Sequence, residues 1–279
     1  MMVPRRQEDD MVGATPWVDP VRAVATVAAR MAGLVRSLPA APVKALGEWD
    51  TNEVATHVTQ VFELDADLAA GAEGPLDDIA GLGDFTKAMV DQEAERDPRV
   101  LAGRIEAAAE RFAGAMAAAP AEGDVSWLGG IQLPVSALPG HVLNEALLHG
   151  VDLARAADRS WRVESAHALV AVRDFLFPLM QRLDPEFFLT DRGRAARTSY
   201  EVQARGGGAV RLDFGGGTVV VHPPTGDPVD CRISADPAAL LQVIFGRKSQ
   251  WKAILGGQLL AWGRRPWLGP QLTSMVRSP

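Results

Sequence analysis

One cysteine, Cys231, stands in 279 residues. No disulfide can close within the chain and no thiolate zinc cluster can be built from it, so any thiol chemistry requires a thiol from outside. Long apolar runs are also missing: no segment approaches the roughly 20 residues needed to span a bilayer. The opening stretch MMVPRRQEDDMVGATP carries acidic residues where a secretory signal needs an apolar centre, so the expectation is a cytoplasmic protein with no membrane partner. Positive charge is in the minority, 28 Lys and Arg against 35 Asp and Glu for a formal net charge of −7. The basic residues form no long run, which argues against a nucleic-acid partner.

What is present is ordinary in bulk and informative in pattern. Hydrophobic residues make up 47% and charged residues 23%, the balance of a soluble globular protein. The length exceeds the usual size of a single core, so two domains are expected. Asp19-Pro20 reads as an N-cap followed by proline at the first helical position, and Val24, Val27, Met31, Leu34 and Val35 follow at helical spacing. Asp50 and Glu53 have capping-box spacing ahead of an inner stripe of Val54, His57, Val58, Val61 and Phe62. A short helix near residues 85–93 and a long one opening at Asp97-Pro98 come next. Another carries LNEALLHGVDLARA, and a last runs from Ser165 to about Leu183 with an interruption near Pro178. Amphipathic helices joined by modest loops read as a bundle.

After Asp184-Pro185 the period changes. Residues 198–204, 210–214, 218–222 and 229–233 are β-prone and separated by GGG, GGG and PPTGD turns. A helix through Phe245 and a fifth strand in QLLAWG follow. The fold class expected is therefore mainly α plus α+β, a helical bundle over 18–184 and a small α+β domain over 185–279, divided within about five residues of position 187.

Glu145 and His149 stand four residues apart, one above the other on a helical face and roughly 6 Å apart along the axis. With a third ligand, His57, from a neighbouring helix they form the three-ligand set of a catalytic metal site with one open position. A lone histidine on an apolar stripe is more often a satisfied core residue, and Glu-x3-His pairs are common in helices. Facing bundle helices, however, are where such sites are built. Asp152 follows three residues after His149 and suits a carboxylate that orients a ligating imidazole, or an exposed acid paired with Arg155. His141 sits a further turn back, roughly 12 Å along the axis from His149. It is read as a surface or helix-start residue.

Trp49 followed by His57, then Glu145-x3-His149-x2-Asp152, resembles the metal-binding domain of mycothiol-dependent maleylpyruvate isomerases, within the DinB-like group of helical, thiol-dependent transferases. The resemblance covers roughly residues 18 to 180. It implies a four-helix bundle in which His57, Glu145 and His149 bind a divalent metal, usually zinc, with the thiol supplied by mycothiol. The stretches VRLDFGGGTVVVHPP and ADPAALLQVIFGRKSQWKAILGGQLLAWG resemble the sterol-carrier fold, a domain that often follows the metal domain in these proteins. Together they imply an isomerase or S-transferase acting on a small electrophile such as maleylpyruvate. The alternative is a non-catalytic lipid or small-molecule carrier. Which arginine of the second domain meets thiol or substrate stays open among Arg197, Arg205 and Arg211. Trp251, Trp262 and Trp267 are expected to fill the small domain's core or its contact with the bundle, with lining of a lipid tunnel as the alternative. Cys231 reads as a small buried hydrophobe.

Overall fold

The computed structural model describes residues 15–120 and 122–277. Most of the stretch read against a secretory signal lies outside them. Four long helices make the bundle: α1 (Pro20–Arg36), α2 (Thr51–Ala69), α4 (Pro98–Ala118) and α5 (Leu138–Ala156), with a shorter α3 (Leu82–Gln92) beside α2. Each expected start signal is used. The Asp19 and Asp97 carboxylates accept the Arg22 and Arg99 amides, and Asp50 and Glu53 complete a reciprocal capping box. α1 and α2 each pack against α4 and α5. α5 is the central element, buried on nearly every side from Leu138 to Ala154.

Two small hairpins were not expected from the sequence. β1 (Lys44–Leu46) with β2 (Trp49–Asp50) leads into α2, and β3 (Asp124–Ser126) with β4 (Gln132–Pro134) leads toward α5. Each has strands of two or three residues, too short for an alternating pattern to stand out.

α6 (Ser165–Val170) passes through a π-helical stretch (Ala171–Leu176) into α7 (Phe177–Met180). The interruption expected near Pro178 is therefore a widened stretch just ahead of it, as suits a proline that has no N–H to return to the preceding turn.

α8 (Asp191–Ala195) precedes a five-stranded sheet of β5 (Thr198–Ala204), β6 (Ala209–Gly215), β7 (Thr218–His222), β8 (Cys231–Ala235) and β9 (Leu259–Trp262), in the order β7-β6-β5-β8-β9. All neighbours are antiparallel except β5 and β8. The glycine runs at 206–208 and 215–217 make the two hairpin turns, with positive φ at Gly206, Gly207, Gly208, Gly216 and Gly217. α9 (Pro237–Ile244) and α10 (Gln250–Leu255) cross from β8 to β9, and α11 (Leu272–Met275) follows. α6 packs on α9, and one continuous apolar core runs from the bundle into the sheet. Among the described residues no helix is long and apolar enough to cross a membrane.

Candidate metal centre

α2 and α5 lie side by side, and their contacts show that they run in opposite directions. His57 of α2 meets Glu145 and His149 of α5, while Asp65, eight residues later in α2, meets His141, eight residues earlier in α5. Equal eight-residue steps on antiparallel helices put two polar rungs roughly 12 Å apart on a shared seam.

The upper rung is the trio. His57 Nε2 and His149 Nε2 both lie 3.3 Å from Glu145 Oε2, and the two imidazoles meet edge to face with centroids 4.9 Å apart. One ligand atom from each residue falls within 4.8 Å of the other two. Donors held tetrahedrally at about 2.0–2.1 Å from zinc stand about 3.3 Å from one another, so the spacing fits a divalent ion. Nitrogen, nitrogen and oxygen is also a donor set that zinc accepts.

The trio is desolvated on most sides. Burial pushes the Glu145 carboxyl up, but hydrogen bonds from His149 and His57 outweigh it and hold the group well below the usual carboxylate range. Burial pushes His149 down, but Asp152 and Glu145 reverse this and raise it to about 9. For His57 burial wins over the Glu145 contact, and its imidazole is lowered. The Trp49 ring packs 5.4 Å from His57. Gly150 permits a close approach elsewhere on α5: a Cβ there would overlap the Trp161 indole, which lies against the helix and donates from Nε1 to the Leu147 carbonyl at 3.1 Å.

Asp152 is buried. Its Oδ2 lies 3.2 Å from His149 Nδ1, an ion-pair distance with a geometry too bent for a well-formed hydrogen bond. The firmer partner is Arg247, from the turn after α9, whose Nε and Nη2 donate to Asp152 Oδ1 and Oδ2 at 3.2 and 2.7 Å. The pairing with Arg155 considered from sequence is not formed. None of the three arginines left open from sequence reaches the trio. Arg205 donates to Ser234 and the Gly257 carbonyl, Arg211 to Asp213, and Arg197 is exposed.

The lower rung corrects another expectation. His141 lies in the first turn of α5, yet it is buried, because the Trp127 and Phe175 rings cover it at centroid distances of 5.0 and 4.8 Å. Its Nδ1 lies 2.8 Å from Oδ2 of Asp65, which is fully buried. The eight-residue interval from His57 to Asp65 on one helical stripe was the available signal for this pair. Arg247 had none, because its partner lies 95 residues away.

A cavity of about 640 Å³ opens onto His57 and Glu145, walled by α2, α3 and the π stretch. A second, of about 460 Å³, lies between the sheet and α7 and shares Leu176, Leu179, Leu183 and Arg277 with the first. Trp267 borders the second cavity but is 64% exposed, and Trp251 and Trp262 are 58% and 41% exposed. These three therefore do not fill the core: Trp262 sits on the edge strand β9, open on its far side.

Residues 21–154, from α1 through most of α5, match the family described as the mycothiol maleylpyruvate isomerase N-terminal domain. Residues 190–263 match the SCP-2 sterol transfer family. The chain therefore carries a domain of the mycothiol maleylpyruvate isomerase N-terminal type followed by one of the SCP-2 type. Among solved structures it is similar to a mycothiol-dependent maleylpyruvate isomerase, at 14% identity over 87% of this chain and 90% of that one, with a TM-score of 0.47. The sterol carrier protein domain 2 of Helicoverpa armigera is 19% identical over 32% of this chain and 80% of its own, with a TM-score of 0.26. A search of curated proteins found no match.

Proposed function

We propose that this chain is a divalent-metal- and mycothiol-dependent isomerase or S-transferase that acts on a small electrophile. We take it to have a metal-binding unit over 18–184 and a carrier-like unit over 185–279. The observation that carries the reading is the convergence of His57 with Glu145, 88 residues away in sequence, and His149, with His57 and Glu145 lining a cavity. These three would hold the metal, with zinc the choice that suits the donor set. Bound there, a divalent cation supplies acidity to a thiol, so that thiolate is available at neutral pH.

The chain's own groups do the rest. Asp152, fixed by Arg247, sets the ring orientation of His149 and holds its Nδ1 side. Trp49 excludes water from one face of the His57 imidazole. Cys231 does not compete as a nucleophile: it is buried in β8 and its thiol is pushed up to about 11, chiefly by that burial. Addition of thiolate to an activated double bond, rotation and expulsion would give isomerisation, and retention of the adduct would give transfer.

Metal analysis tests the reading. Wild-type protein should carry one equivalent of divalent metal and His149→Ala none; a full equivalent retained by His149→Ala overturns the ligand set. The apolar cavity of about 460 Å³ against the sheet favours a second reading, a carrier for an apolar ligand. Metal-free protein that copurifies with lipid and gives no thiol adduct would select the carrier.

A further inference from the structure

The cavity in front of the trio holds one further group that can take and give a proton near neutral pH. Among the described residues that line it, the ionisable ones are His57, His141, Glu145 and Arg277. His57 and Glu145 belong to the proposed ligand set, and an arginine keeps its proton throughout the working range. His141 is what remains. It stands one turn of α5 before Glu145, about 6 Å along the axis, and its charged partner is Asp65, not a member of the trio.

The two ring nitrogens of His141 have different surroundings. Nδ1 lies 2.8 Å from Oδ2 of Asp65, which fixes the side of the ring that faces α2, and the Trp127 and Phe175 rings pack against the imidazole. Nε2 makes no hydrogen bond to the described residues, and the side chain retains 7% exposure against none for Asp65. Nε2 is thus the polar atom that His141 offers to the cavity. A structural role accounts poorly for the pair. Asp65 is fully buried, and its Oδ1 meets no hydrogen-bond donor among the described residues. A buried pair left partly unsatisfied adds little stability, and apolar residues of similar volume commonly do as well or better. Carboxylate, imidazole and open Nε2 in a row is instead the arrangement that makes an imidazole a general base.

We propose that His141 is the general base that takes the thiol's proton at Nε2, with Asp65 as its positioning residue. The proposal rests on the metal- and thiol-dependent reading above. The charged groups that act on His141 are Asp65 from α2 and Glu145 from its own helix. Burial pushes the imidazole down, but Asp65 outweighs it and raises the group, which strengthens it as a base. A divalent cation at the trio opposes a second positive charge one turn away. Before the thiol arrives the ring is therefore neutral, its proton on Nδ1 toward Asp65 and a lone pair on Nε2. The thiol's S–H bond then breaks, its proton goes to Nε2, and the Asp65 carboxylate faces the imidazolium. When the sulfur pair bonds one olefinic carbon, the π pair moves to the other carbon, which receives the proton held at Nε2.

Calorimetry of mycothiol binding to zinc-loaded full-length protein tests this without turnover. At about pH 7.5 the free thiol is mostly protonated, and buffers of differing ionisation enthalpy count the protons released. Wild type should release close to none, because His141 keeps the proton. His141→Leu with Asp65→Leu should release about one. The double change leaves no orphaned carboxylate, so its Tm in metal-free form should lie within a few degrees of wild type. His141→Gln, whose side chain takes no proton, is the second variant and should also release about one.

Asp65→Asn keeps the shape and weakens the base, so an intermediate count is expected; a wild-type count there removes Asp65 from the proposal. A wild-type count from the His141 variants, with mycothiol still bound, overturns the role of His141 and leaves the thiol-dependent reading standing. Failure of wild type to bind mycothiol overturns that reading and the proposal with it.

Discussion

Replacing Arg247 by Met should destabilise the protein by about 2 kcal/mol, and the reason lies in what remains behind. The change keeps much of the side-chain stem and removes the guanidinium. Asp152 then stays buried, 2% exposed, with His149 Nδ1 as a bent contact 3.2 Å away. Exposed ion pairs are worth about 0–1 kcal/mol, whereas breaking a buried one costs about 3–5 kcal/mol. Arg247 retains 15% of its side-chain exposure, so water can enter when it is cut back, and an intermediate value follows. The penalty comes from an orphaned carboxylate, so a second change that removes the charge should relieve it. Arg247→Met with Asp152→Asn should be more stable than Arg247→Met alone, a non-additive result expected of groups in direct contact.

Urea denaturation of metal-free wild type, the two single variants and the double variant measures this through midpoints and m-values. A cost under about 0.5 kcal/mol for Arg247→Met, or a double variant less stable than Arg247→Met, would refute the reasoning. The first would mean that Asp152 is solvated in solution, and the second that Asp152 acts through its own packing.

Gly150→Ala should cost about 1–3 kcal/mol and lower the Tm, because its Cβ needs space occupied by the Trp161 ring; Trp161→Leu in the same background should restore part of the loss. Asp230 is held below the usual carboxylate range: burial pushes it up, but Arg264, the Ser199 amide and Thr198 prevail. A depressed folded-state pKa gives stability that is present above the unfolded value and lost as pH falls through the folded one. Asp230→Asn should therefore cost about 1 kcal/mol at pH 7, with a gap to wild type that closes below about pH 4 in melts across the acid range. A constant gap would disprove the charge-based account. Cys231 should resist a thiol-specific reagent in native protein at pH 8 and react in full in denaturant; rapid labelling of native protein would contradict its burial.

Much of the bundle was legible because its signals are local. Asp19-Pro20, the Asp50 and Glu53 capping box and Asp97-Pro98 each mark a helix start with atoms at most a few residues apart, and the glycine runs mark hairpins in the same way. The hairpins at 44–50 and 124–134 were missed, since each depends on a few cross-strand contacts with too little length for a period. The tryptophans were misplaced because size and apolarity indicate burial only on average. Trp251 and Trp262 lie on a short helix and an edge strand that nothing in the described residues covers.

The candidate metal centre divides along the same line. Glu145 and His149 are visible as an i, i+4 pair, while their meeting with His57 needs the antiparallel contact of α2 and α5. Once that contact is made, the second rung of Asp65 and His141 follows from equal intervals in the two helices. His141 then becomes a buried partner instead of the surface residue that its place near a helix start suggested. Arg247 is a different case: it depends on how the sheet-bearing part of the chain sits against α5, which no interval in the sequence encodes. Through Asp152 it ties that part of the chain to the orientation of His149. The C-terminal part therefore contributes to the candidate site through a charge that braces His149, and a bundle cut off after Met180 would leave Asp152 without its guanidinium partner.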